Sequence, residues 1–187
     1  MKRYFSILFL ILSVSSYGQR ALDLVSFNRI IELKGTKNMV ALEVTTNNIG
    51  DINSMSIVFI NTETGKATVA DIAREYIIQD FKQVKIDSLM INTVLSTVRM
   101  YDLDLNGRIN TKDPVSLISL GIDGNEKKVI TPKTFNVRVW EVNEISGTLV
   151  VGGFYDSNRN GRYDPQEKNE IHIYDLKTYK LIYKINE

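Results

Sequence analysis

Tyr101 to Pro132 reads YDLDLNGRINTKDPVSLISLGIDGNEKKVITP, and Tyr155 to Ile185 reads YDSNRNGRYDPQEKNEIHIYDLKTYKLIYKI. Sliding the segment 81–132 forward by 54 residues lays it on 135–186 without a gap. Eight positions are then identical: Phe81/Phe135, Ile91/Ile145, Leu95/Leu149, Tyr101/Tyr155, Asp102/Asp156, Asn106/Asn160, Gly107/Gly161 and Arg108/Arg162. A repeat of this length marks a structural unit that is used more than once. Phe27 lies 54 residues before Phe81, so a third copy starts there on the same reckoning, although its loop, Asn47 to Asp51, lacks the acidic ladder. The chain therefore holds two or three units, approximately 24–71, 81–132 and 135–186.

Each unit reads as strands. In the last one, Phe135 to Val142, Thr148 to Tyr155, Ile171 to Leu176 and Lys180 to Ile185 are short, rich in β-branched and aromatic residues, and separated by Gly, Asn, Asp and Ser. The first unit offers Leu24 to Leu33, Met39 to Thr45, Ser56 to Asn61 and Ala67 to Asp71. Only Asp71 to Gln83 departs from this rhythm: Ile72, Tyr76, Ile77, Phe81 and Val84 fall near helical spacing, which predicts one short connecting helix. The expected fold class is mainly β, built of tandem four-stranded antiparallel units.

The two matched loops run from Asp102 to Asp113 and from Asp156 to Glu167. Both resemble the twelve-residue calcium loop of EF-hand proteins. Ca²⁺ takes six to eight oxygens, and side chains at alternate positions converge on it only if the chain then turns sharply, as Gly at the sixth position allows. In the first loop the candidate ligands are Asp102, Asp104, Asn106, the backbone carbonyl of Arg108, and Asp113. In the second they are Asp156, Asn158, Asn160, the carbonyl of Arg162, Asp164 and Glu167. Glu167 is long enough to bind bidentately, so the second loop is expected to hold Ca²⁺ more tightly. Asx- and Gly-rich stretches also make ordinary turns, and two metal-free hairpin loops remain the competing reading. A calcium sensor would need helices on either side, whereas Ile171, Ile173, Leu181, Tyr183 and Ile185 mostly alternate as in strands. The ion would instead clamp the hairpin between the second and third strands of each unit.

The passages Tyr101 to Pro132 and Trp140 to Ile185 resemble blades of the TolB-like β-propellers of exported bacterial proteins, some of which carry calcium loops inside the blade. That resemblance implies radial four-stranded blades and a role as an envelope or extracellular interaction module, usually without catalysis. The chain departs from it in number, since propellers usually have four to eight blades. Three units leave an open flank with exposed edges, which soluble proteins cover. Either two chains close a six-bladed ring as a homodimer, which is the expectation, or the arc is capped, or the sheets pack differently, as in a sandwich.

Composition narrows the remaining classes. The chain of 187 residues has 23 Lys and Arg against 22 Asp and Glu, one His and no Cys. There is no thiol nucleophile, disulfide framework or Cys-based metal site, and the lone His172 cannot build a multi-His shell, so any metal must be held by oxygen. Interspersed charges with a net of +1 provide no stripe for nucleic acid. Lys2 and Arg3 precede the apolar run Phe5 to Val14, which is too short to span a bilayer, and Ser16 and Gly18 are the small residues a signal peptidase reads. Residues 1–18 are thus expected to be a cleaved signal peptide, leaving a single β-rich domain, 19–187, with no membrane span and a secreted or periplasmic address.

No Gly-x-Ser-x-Gly elbow or phosphate loop occurs, and His172 reads as a satisfied strand residue. The expected function is a non-enzymatic calcium-binding module whose partner is an envelope or extracellular protein or a glycan. The alternative is a calcium-dependent glycan-binding or glycan-processing protein, with Trp140, Tyr155 and Tyr174 as its aromatic face.

Overall fold

The computed structural model describes residues 24–47, 51–70, 72 and 76–186, so the expected signal peptide lies outside the described residues. The first sheet comprises β1 (Leu24–Glu32), β2 (Asn38–Thr46), β3 (Ile52–Asn61) and β4 (Ala67–Val69), hydrogen-bonded in that order. The second comprises β5 (Ile77–Ile86), β6 (Ile91–Arg99), β7 (Val115–Leu120) and β8 (Lys128–Val129). The third comprises β9 (Phe135–Asn143), β10 (Thr148–Tyr155), β11 (Asn169–Asp175) and β12 (Leu181–Asn186). All neighbouring strands are antiparallel. The chain is thus mainly β, with three successive four-stranded meanders, and among the described residues no helix is long and apolar enough to cross a membrane.

Alternation along the strands stacks the sheets. On β7, Ile118 and Leu120 enter a core shared with Val40, Ile57 and Phe59 of the first sheet, while Val115 and Leu117 enter a second core with Phe135, Leu149 and Val151 of the third. Successive side chains point to opposite faces, so a strand covered on both sides carries only apolar or small residues, here Val, Leu and Ile with Ser116 and Ser119. All six residues of β7 are buried. Polar links cross the same boundaries. Gln83 Nε2 donates to the Lys34 carbonyl and Asn38 Nδ2 to the Ile122 carbonyl, tying the first sheet to the second. Between second and third sheets, the Val115 N–H donates to Asn136 Oδ1, and Thr93, Ser119 and Tyr179 form a chain of hydroxyls at 2.6 Å steps. Arg29 pairs with Asp80 and lies 4.7 Å from the centre of the Phe81 ring.

The predicted helix over 71–83 is overturned from residue 77 onward, where β5 runs; Asp71 and residues 73–75 lie outside the described residues. The misleading spacing arises because β5 is apolar on both faces: Phe81 enters the first core and Val84 the second, so residues three apart come from opposite sides of a strand, and a bulge between Ile78 and Asp80 shifts the alternation further. A short 3-10 turn, Asp87–Leu89, follows instead.

The gapless repeat also needs correction in its first half. The tight turns joining first to second strands are closed by Ile86/Ile91 and Asn143/Thr148, a step of 57 residues, against 54 in the loops. Ile91 is consequently buried in β6, whereas Ile145 sits in a turn and is 95% exposed. Phe27 is likewise no counterpart of Phe81: it is exposed on β1, and Phe81 is fully buried.

Truncating Phe81 to Ala should destabilise the protein by about 3–5 kcal/mol, the range for deleting a buried ring. Chemical denaturation measures this, and a loss under about 1 kcal/mol would show that the first core is loosely packed.

Candidate metal centre

Both acidic loops sit where the sequence places them, between the second and third strands of their sheets: 102–113 joins β6 to β7, and 156–167 joins β10 to β11. Their backbone N–H groups are bound in the same way at the first, fifth and twelfth positions. At the first position, Asp102 accepts the N–H groups of Asn106 (3.2 Å) and Gly107 (2.8 Å), and Asp156 accepts those of Asn160 (3.1 Å) and Gly161 (2.8 Å). At the fifth, Asn106 Oδ1 accepts the Arg108 N–H and Asn160 Oδ1 accepts the Arg162 N–H. At the twelfth, Asp113 accepts the N–H groups of Leu103 and Asn110, and Glu167 those of Ser157 and Asp164. The twelfth-position carboxylates are buried, Asp113 wholly and Glu167 nearly so, and in the second loop Asp156 at the first position is buried as well.

These bonds explain the backbone. To aim successive N–H groups at one carboxylate the chain must double back, and it does so through left-handed residues at the fourth and sixth positions: Leu105 and Gly107, Arg159 and Gly161. Glycine adopts that conformation freely, whereas Leu105 and Arg159 are held in it at a cost of about 1–2 kcal/mol each. The spacing announced the glycines; nothing in the sequence announced Leu105 or Arg159.

The loops carry equal charge, three acids against two bases each, but gather their carboxylates differently. One carboxylate oxygen from each of Asp102, Asp104 and Asp113 can be chosen so that all lie within 4.8 Å of one another, and among the described residues this is the group of three acids so gathered. Like charges this close repel, and a divalent cation with a preference for hard oxygen donors relieves the repulsion. The first loop's donor set therefore fits Ca²⁺, with the Arg108 carbonyl on the same turn, where it accepts from Asn110 Nδ2. In the second loop Asn158 and Asn160 both donate side-chain N–H groups to Asp164 Oδ2. Its carboxylates Asp156, Asp164 and Glu167 are thus spread among amides and backbone N–H groups. Arg99 donates to the Asp113 carbonyl, and burial holds its guanidinium below the usual range despite the nearby Asp113 charge.

The two loops touch. A Cβ built on Gly161 would stand 2.3 Å from the Lys112 carbonyl oxygen, so the second loop packs against the backbone of the first, whereas nothing lies within 4 Å of a Cβ on Gly107. Beside the first loop a cleft of about 860 Å³ opens toward the first sheet, lined by Met55, Tyr76, Met100 and Ile109, with Asp102 at its rim.

The other residues singled out from sequence are placed differently. His172 is fully buried, stacked on Phe135 with ring centres 4.2 Å apart, and both its nitrogens are taken, Nε2 by Glu170 (2.8 Å) and Nδ1 by the Tyr174 hydroxyl (3.1 Å). Burial, then the neighbouring Tyr155, pushes the Tyr174 phenol up to about 12, so it keeps its proton at neutral pH and can donate to Nδ1. Trp140 and Tyr155 pack against the second core and Tyr174 lies within it, so the three do not form an exposed aromatic face.

Gly107→Ala should cost about 1–2 kcal/mol from its backbone conformation alone. Gly161→Ala carries the same penalty plus a clash with Lys112 and should be distinctly the more damaging in thermal melts. Equal losses would mean that the loops do not bear on each other.

No protein-family model matches the chain, and no curated protein matches it. Among solved structures it is similar to the acylaminoacyl peptidase of Pyrococcus horikoshii in its orthorhombic crystal form, with a TM-score of 0.49 and 10% identity over 88% of this chain. The match spans 25% of that chain. A likeness this distant transfers no activity.

Proposed function

We propose that the protein is a secreted or periplasmic, non-enzymatic interaction module of TolB-like, propeller-blade type, whose two acidic loops are stapled by Ca²⁺. The observation that carries this reading is the backbone N–H bonding that the two loops share at their first, fifth and twelfth positions, joined to the gathering of Asp102, Asp104 and Asp113 within 4.8 Å. Turn formation alone does not require three carboxylates in one volume. The amino-terminal Lys-Arg-apolar-small pattern supports export, and a chain without Cys needs another way to fix long loops outside the cell. Extracellular calcium modules work at dissociation constants of about 10⁻⁴–10⁻³ M, so such loops would fill on export. The two loops lie side by side, so ordering them would present one firm surface to an envelope or extracellular partner.

A second reading, calcium-dependent glycan binding, is favoured by one feature: the cleft beside the first loop brings Tyr76 to the same hollow as Asp102. Retention on immobilised polysaccharides that is lost with a chelator would select this reading, and absence of retention would leave the module reading in place.

Calcium should raise the melting temperature by mass action, each site contributing about 1.4 kcal/mol per tenfold excess over its dissociation constant. Asp102→Asn should remove the first loop's share and Asp156→Ala the second's, with titration calorimetry reporting the sites directly. A double variant that keeps the full calcium shift would refute the proposal.

A further inference from the structure

The three sheets are stacked so that each has a leading and a trailing face. The trailing face of the first sheet meets the leading face of the second, and the trailing face of the second meets the leading face of the third. The leading face of the first sheet and the trailing face of the third remain, and both are apolar. On the first, Ile30, Ala41, Val58 and Val69 form one cross-strand row, with Phe27 in a neighbouring row; Ala41 and Val58 at its centre are buried, while Ile30 and Phe27 are each 56% and Val69 50% exposed. On the third, the matching row is Val139, Gly152, Ile171 and Ile185, and Val139 and Ile185 are 65% and 54% exposed.

The two faces are unlike in relief and in charge. Gly152 has no side chain, and the row around it encloses a hollow of about 400 Å³ with Arg138 on its wall. The first sheet instead projects Phe27, in register with Glu43. Within the chain, the first and second sheets already meet through an arginine over a phenylalanine with a carboxylate beside it, Arg29 with Phe81 and Asp80. Arg138 lies 5.9 Å from the centre of the Phe154 ring, in a hollow also lined by Glu170, and Glu43 of another copy would bring a further carboxylate to it.

We propose that a second copy of this chain covers both faces, the first sheet of each copy docking on the third sheet of the other about a two-fold axis, to close a ring of six sheets. Area favours closure over a single joint. A four-stranded face about 19 Å wide and about 25 Å long covers about 475 Å², so one joint buries about 950 Å² and two about 1,900 Å², and only the latter reaches the size of stable interfaces. An unlike-face contact that closes on itself also avoids open filaments.

Sedimentation of the protein at tens of micromolar, with calcium and with chelator, should give twice the monomer mass in at least one condition. The chain has no Cys, so introduced thiols report without background. Phe27→Cys and Ile171→Cys proteins, mixed and mildly oxidised, should cross-link to each other, while neither should cross-link to itself. Ile185→Glu, at an exposed site, should give a folded monomer with an unchanged circular dichroism spectrum. A monomeric mass in both conditions, self-cross-linking of Phe27→Cys, a ladder beyond dimers, or a folded Ile185→Glu dimer would each overturn the proposal.

Discussion

Strand Val115–Leu120 has no side that faces water, and most of the architecture depends on that. Because one face must fit the first sheet and the other the third, β7 and its neighbour β6 are nearly all buried. Burial at about 25 cal/mol per Å² of apolar surface drives the stack. It also leaves little tolerance for register error, since a one-residue slip would exchange the two cores. The acidic loops hang from these strands. Val115 directly follows Pro114 and the buried Asp113, and Tyr155 directly precedes the buried Asp156, so the position of each loop is set by the sheet it interrupts.

The loops in turn organise themselves around buried charge. A carboxylate that accepts two backbone N–H groups is fixed in place by them, and each loop does this at both ends, with the first and twelfth residues. Such loops have a shape that resists collapse yet still offer unused lone pairs toward the centre. In the first loop those lone pairs belong to three acids, and in the second largely to acids already bound by amide side chains.

Much of this was legible in the sequence because it rests on local rules. Strand boundaries in the first and last units follow from turn residues and alternation, and the loops follow from Asx spacing around Gly107 and Gly161. Three features were not legible. Strand β5 imitates a helix, since it is apolar on both faces and Phe81 and Val84, three residues apart, enter different cores. The constant 54-residue offset hides a compensating change, because the four-residue turns stand 57 apart and the run from turn to loop is three residues shorter in the third sheet. Tertiary placement separates Phe27 from Phe81, and no local pattern carries it. The aromatic trio was ambiguous for the same reason: Trp140, Tyr155 and Tyr174 look alike on paper whether they face solvent or a neighbouring sheet.

The hydroxyl chain from Thr93 through Ser119 to Tyr179 gives the stack a mechanical property that hydrophobic faces lack. Greasy surfaces slide over one another at little cost, whereas a directional O–H···O contact fails within about an ångström of travel. Pinned there, and at Asn136, the second and third sheets should resist shear and yield first by peeling apart, so that a load applied along the strands is borne far better than one applied across them.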